Sequence, residues 1–242
     1  MKTPRRIHQF DLDAGAVIAG KYRVEARLGA GWEGEVYKIT ELGTGIERAA
    51  KLFFPHRNLR NQAARRYAQK LHKLRHCSIL IQYHTQDVIE FEGQPVTLLL
   101  SEFVEGELLR TVIQRNPGRA LHPFEALHVL HALASGMAEI HLAREYHGDL
   151  HADNVIVRRF GLGYEIKLID LFRWNSPQRE NIQGDVCDLV RVFYDMLGGA
   201  RRYRHQRAEI KAVCCGLKRS LILKKFRTAG QLRDYLESIN WQ

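Results

Sequence analysis

The two ends of this 242-residue chain carry different hydrophobic periods, and few architectures accommodate that order. Up to about residue 103 the apolar residues alternate or cluster in short β-rich runs: "KYRVEARLGA", "GEVYKITE", "ERAAKLFF" and "QPVTLLLSEFVE". Period-2 runs of this kind, punctuated by glycine, predict strands. One helix interrupts them, "NQAARRYAQKLHKLRH", with Ala64, Tyr67, Leu71 and Leu74 on a single stripe. After Gly106 the pattern turns helical. The stretch 122–145 predicts a long helix opened by Pro123, a residue tolerated in a first turn. Two short strands, "NVIV" and "YEIKLID", come next, then helices at "DVCDLVRVFYDML", "AEIKAVCCGL" and "TAGQLRDYLESI". Strands followed by helices, rather than alternating with them, predict an α+β chain of two lobes. The expected divisions are an N-terminal extension over 1–19, a β-rich lobe over 20–103 and a helical lobe over 104–242.

Composition narrows the function classes. No run of 18 apolar residues is present, so no membrane span is expected. "AVIAG" is too short for the apolar part of a signal peptide. Cys77, Cys187, Cys214 and Cys215 lack metal-site spacing, which fits free thiols in a reducing cytoplasm. The net charge is +10, and between Arg48 and Gln86 nine Lys or Arg stand without one Asp or Glu. Further basic runs occupy 201–207 and 218–225. These surfaces suit a solvated face or an acidic protein partner. Nucleic acid has weaker support, because no aromatics are interleaved for base stacking.

Two stretches carry chemistry. In "LGAGWEGEVYKI", Gly29, Gly31 and Gly34 fall between β-rich runs, which excludes the strand–helix setting of a dinucleotide fold. A glycine hairpin can instead lay backbone N–H groups on phosphates. Lys51 follows on an apolar strand beside Ala49, where its charge needs an anion. The second stretch, "YHGDLHADNVIV", places Asp149 five residues before Asn154 at the mouth of a strand. Taken alone it is either a polar capping turn or a proton acceptor next to a metal ligand.

The ordered set resembles the protein-kinase fold: glycine hairpin, strand lysine, helix, "SEFVEG", long helix ending "IH", "HGDLHADN" and "LID". The first lobe is most similar to bacterial Hanks-type Ser/Thr kinases. "HGD" in place of "HRD" is more similar to aminoglycoside phosphotransferases. The resemblance implies ATP and Mg²⁺ as cofactors. Gly29, Gly31, Gly34, Val36 and Ala49 then belong to the nucleotide-binding set, and Lys51 holds the α and β phosphates. Glu102 and Val104 meet adenine through their backbones behind Ser101. Asp149 accepts or orients the attacking hydroxyl, and Asn154 and Asp170 bind Mg²⁺. His151 stands where kinases often carry a lysine toward the γ-phosphate, and Asp153 is expected to be merely solvent-exposed.

Three departures accompany the resemblance. The helix glutamate that kinases pair with the strand lysine falls at Tyr67, in a helix without acids. Lys51 must therefore use Glu33, Glu35, Asp170 or the nucleotide. "DFG" reads Asp170-Leu171-Phe172, and only "LFRWN" separates Asp170 from "SPQ" at 176–178, a span of at most about 18 Å. Gly148 replaces the arginine that reads a phosphorylated loop, so control by activation-loop phosphorylation is not expected. Asp185 is expected to brace the catalytic loop. The reading that follows is an atypical Ser/Thr protein kinase acting on a specific partner protein. A pseudokinase scaffold and a small-molecule kinase remain open.

Overall fold

The computed structural model describes residues 6–161, 163–171 and 178–240. The chain divides into two compact units, one formed by residues up to Arg75 with Ile81–Val104, the other by His76–Leu80 with Glu105 onward. The crossing near residue 104 lies where the periodicity changes. The return of 76–80 to the second unit has no counterpart in the sequence pattern.

The N-terminal unit is an antiparallel sheet of β1 (Val17–Ile18), β2 (Tyr22–Ala30), β3 (Gly34–Glu41), β4 (Glu47–Phe53), β5 (Tyr83–Phe91) and β6 (Gln94–Glu102). Their spatial order is β1-β2-β3-β4-β6-β5. Lys21 and Asp87, near opposite edges, meet at 2.8 Å, so the twisted sheet curls upon itself. The register pairs Val36 with Lys51, Lys38 with Ala49, and Lys51 with Leu99. Because side chains alternate, Val36, Ala49 and Lys51 share one face, while Tyr37, Ala50, Leu52, Leu98 and Leu100 point to the other.

That other face is the core of the unit, and residues 6–19 cover it. Ile7, Phe10 and Ile18 are buried there, with Leu12 and Ala16 packed alongside. Phe10 stacks on Phe54 at 5.2 Å and meets Phe91 edge-on at 5.2 Å. The backbone N–H of Leu12 donates to the Tyr37 hydroxyl at 3.1 Å. Residues expected as an extension outside the lobe thus form part of its core. Burying one such side chain is worth about 2–3 kcal/mol. Beneath, the Tyr37 hydroxyl donates to Glu35, which also receives Arg27 at 3.0 Å. Burial, reinforced by the Glu35 hydrogen bond, pushes the Tyr37 hydroxyl up to about 12.

On the Lys51 side lies α1 (Gln62–Lys73). Ala64, Tyr67, Leu71 and Leu74 are buried, as their 3–4 residue spacing implies. Its outer face carries Arg65, Arg66 and Lys73, all exposed.

In the C-terminal unit β7 (Glu107–Leu108), β8 (Val155–Phe160) and β9 (Gly163–Leu168) form a small antiparallel sheet. The helices are α2 (Leu109–Arg115), α3 (Pro123–Leu142), α4 (Arg179–Met196), α5 (Ala200–Tyr203), α6 (Ala208–Cys214), α7 (Arg219–Lys225) and α8 (Ala229–Glu237). The central element is α3, apolar nearly all round and packed by α4, α8 and β9. Pro123 opens it, and the His122 side chain accepts the Phe124 N–H at 3.3 Å. Residues 76–80 join this unit through the Leu168 N–H, which donates to the Ile79 carbonyl at 2.7 Å. A Cβ on Gly136 would stand 2.3 Å from Ile79 Cδ1, so α3 needs glycine to admit that segment. Among the described residues no helix is long and apolar enough to cross a membrane, and all four cysteines are unbridged.

Candidate functional site

The glycine hairpin joins β2 to β3, closed by the Gly31 N–H donating to the Gly34 carbonyl at 2.9 Å. Its three glycines are not equivalent. A Cβ on Gly34 would fall 1.8 Å from the Leu52 carbonyl oxygen, so this glycine lets β3 press against β4. At Gly29 and Gly31 an added Cβ meets nothing within 4 Å, and neither takes a positive φ. The fold does not demand glycine at those two positions; an approaching ligand would. Gly34→Ala should therefore cost about 3 kcal/mol in a urea titration. Gly31→Val should leave stability within about 0.5 kcal/mol of the parent while weakening Mg·ATP binding, read by calorimetry.

Lys51 is buried and pairs with Glu33 of the hairpin, Nζ to Oε2 at 3.1 Å. The Tyr67 ring lies 4.9 Å from the same ammonium and the Phe53 ring 5.4 Å. Of the four anions expected as partners, Glu33 is the one this unit supplies, since Glu35 serves Tyr37 and Arg27. Tyr67, standing where the resemblance puts a glutamate, offers a ring face to the cation instead. At the hairpin tip Trp32 is 64% exposed, with the Arg57 guanidinium 3.9 Å from its ring, a contact no sequence pattern announced.

Val36 and Ala49 sit half-buried on the Lys51 face, suited to an apolar ring. At the end of β6 the Glu102 N–H donates to the Gln82 carbonyl at 2.9 Å. Among the described residues the Val104 N–H enters no hydrogen bond.

In the C-terminal unit the acid, the imidazole and the amide occupy one loop before β8. Wholly buried Asp185, inside α4, sets its shape. It accepts the His147 N–H at 2.9 Å and the Gly148 N–H at 2.8 Å, and it meets His141 Nε2 at 3.0 Å. The helix containing it begins at Arg179, earlier than the sequence suggested, so Asp185 stands in its second turn rather than at its opening. Gly148 takes φ 82°, a conformation that an arginine there would occupy only under strain.

Asp149 follows, half-exposed at 51%. Asn154 is buried, and its Nδ2 donates to the Asp149 carbonyl at 2.8 Å. The amide nitrogen is thereby committed, which leaves the amide oxygen, a hard donor, for a cation such as Mg²⁺. The His151 ring is engaged within the loop, 3.1 Å from Asn154 Nδ2 and 3.4 Å from Asp153. Asp153 is not simply exposed, as the sequence suggested. It takes Arg110 Nε on Oδ1 at 2.8 Å and Arg110 Nη2 on Oδ2 at 2.8 Å, a fork geometry that only folding brings together. That hydrogen bond holds the Asp153 carboxyl below its usual range and raises Arg110.

Asp170 takes φ 57°. A left-handed non-glycine residue is uncommon and gathers at functional sites. Its neighbour Ile169 is pinned on both sides: its N–H donates to the Asn154 carbonyl at 3.0 Å, and its carbonyl meets His147 Nε2 at 3.1 Å. Asp170 and Asn154 are thus tied to the same loop. Leu171 is buried. The "LFRWN" stretch after Leu171, and Ser176 and Pro177 of "SPQ", lie outside the described residues.

One unit thus holds a glycine hairpin with a buried strand lysine, and the other a loop joining an acid to an amide. Residues 22–174 match the family model described as the protein kinase domain, and the chain belongs to that family. It is 32% identical over 160 residues to the serine/threonine-protein kinase pkn2 of Myxococcus xanthus, covering 64% of this chain and 18% of that protein. It is 29% identical to PrkC of Bacillus subtilis, covering 64% and 23%. The chain thus spans about a fifth of the length of these relatives. The kinase domain of Mycobacterium tuberculosis PknI shares the fold, with TM-score 0.64 at 17% identity, covering 93% of this chain and 98% of that one.

Proposed function

We propose that the chain is an ATP- and Mg²⁺-dependent phosphotransferase that moves the γ-phosphoryl group to a hydroxyl. The acceptor is proposed to be Ser or Thr on a specific partner protein, met through basic surfaces, in the cytoplasm. The observation that carries the reading is the loop of 147–154, where buried Asp185 fixes the backbone that presents Asp149 and Asn154 ties its own amide to the Asp149 carbonyl. Asp149 accepts or orients the acceptor hydroxyl. Asn154 and Asp170 hold Mg²⁺, which when bound neutralises phosphate charge. Lys51 takes the α and β phosphates, Gly29 and Gly31 allow the hairpin backbone near them, and Glu102 and Val104 receive adenine. His151 stands beside Asp149, where an imidazole can reach a phosphate oxygen. Rate enhancement rests on positioning and charge neutralisation. The exposed arginines of α1 favour an acidic protein surface as partner.

One observation favours a second reading, a pseudokinase. Tyr67 presents a ring, not an acid, to Lys51. A thermal-shift titration with ATP separates the two. The enzyme reading expects stabilisation that grows with Mg²⁺, about 2.7 kcal/mol at a ligand concentration a hundred times Kd. Stabilisation indifferent to Mg²⁺, or none, favours the scaffold. A small-molecule kinase would bind Mg·ATP equally well and phosphorylate a polyol instead of protein.

A further inference from the structure

We propose that Glu33 is the positioning residue for Lys51, so that the lysine is set from the glycine hairpin and not from α1. The inference rests on the reading of Lys51 as a phosphate ligand. Lys51 and Glu33 are both buried, which makes their 3.1 Å contact an interaction between largely desolvated charges. A buried lysine without a nearby anion would be held neutral or displaced. The sequence of α1 contains no Asp or Glu to meet it.

Glu33 is itself fixed. Its carbonyl accepts the Phe54 N–H at 2.8 Å, tying the hairpin to the residue just beyond β4, the strand that carries Lys51. The neighbouring Gly34 lies against Leu52 so closely that no Cβ fits. Tyr67 and Phe53 face the ammonium with their rings, and the Glu33 carboxylate is a directional partner that the hairpin itself supplies. In a kinase whose lysine is paired from the helix, moving the helix breaks the pair and switches the enzyme off. Here the charge of the pair rides on the hairpin that meets the nucleotide. Displacing α1 removes a ring face and no carboxylate. Lysine placement is therefore coupled to glycine-loop closure, and α1 is not an electrostatic switch.

The test compares wild type, Glu33→Gln, Glu33→Ala and the double variant Glu33→Ala with Tyr67→Glu, each checked for a cooperative melt. Glu33→Gln, nearly isosteric, should lower kcat about a hundredfold with a smaller change in ATP KM. The double variant, which returns a carboxylate to the helix, should recover at least about tenfold over Glu33→Ala. Lys51 acylation by an amine-reactive ester, followed by mass spectrometry against pH, supplies a readout independent of turnover. Removing the carboxylate favours the neutral amine, so the onset should move to lower pH in Glu33→Gln. Wild-type kcat in Glu33→Gln, or an unmoved acylation profile, overturns the proposal. A wild-type protein that neither binds Mg·ATP nor transfers phosphate sinks the phosphotransferase reading instead, and the acylation profile still decides the role of Glu33.

Discussion

Asp149→Asn should reduce phosphoryl transfer about a thousandfold while leaving Mg·ATP affinity within about twofold of wild type. A positioned base contributes about 10²–10⁴ to rate, and the amide cannot accept the hydroxyl proton. The geometry explains why binding survives. Asn154 reaches the backbone carbonyl of Asp149, not its carboxylate, and the backbone of 147–148 is gripped by Asp185. The substitution therefore changes charge at one half-exposed side chain without disturbing the loop. Transfer rates from γ-labelled ATP and calorimetric Kd values, measured on the same preparation, check both halves. A variant that retains a tenth or more of the wild-type rate would remove Asp149 from its role.

Asp185→Ala should destabilise the C-terminal unit by about 3–5 kcal/mol. Two backbone N–H groups and the His141 ring lose their acceptor at a wholly buried position. Each orphaned buried donor costs about 1–3 kcal/mol, out of a typical total near 5–15 kcal/mol. Urea denaturation at constant slope measures the loss, and hydrogen exchange at His147 and Gly148 should accelerate with it. A loss below about 1 kcal/mol would mean that the loop is shaped by other contacts.

The residues proposed to carry the chemistry stand out in the sequence because each combines an unusual residue type with its setting. Lys51 breaks an apolar strand, Asp149 and Asn154 stand at fixed spacing before β8, and the glycines interrupt a β-rich run. What the sequence left open was whatever depends on distant side chains meeting. Four anions competed for Lys51, and only the folded hairpin, with Gly34 opposite Phe53, brings Glu33 to it. The Arg110–Asp153 fork joins residues 43 apart. The stretch 6–19 escaped as core because Ile7 and Phe10 are too sparse to make a period. β5 has mostly exposed or half-buried positions and so gives no alternation, and α2 and α7, seven residues each, are too short for a clear period. Gly184 interrupts the apolar pattern of α4, which hid the turn before Asp185.

The most direct measurement is phosphate incorporation from γ-labelled ATP into a bacterial lysate and into the protein itself, run with Mg²⁺, with EDTA and with Asp149→Asn. Incorporation that requires Mg²⁺ and disappears in the variant is the expected result. Equal labelling in all three arms, or none in any while Mg·ATP leaves the melting temperature unmoved, would contradict the assignment of this chain as a phosphotransferase.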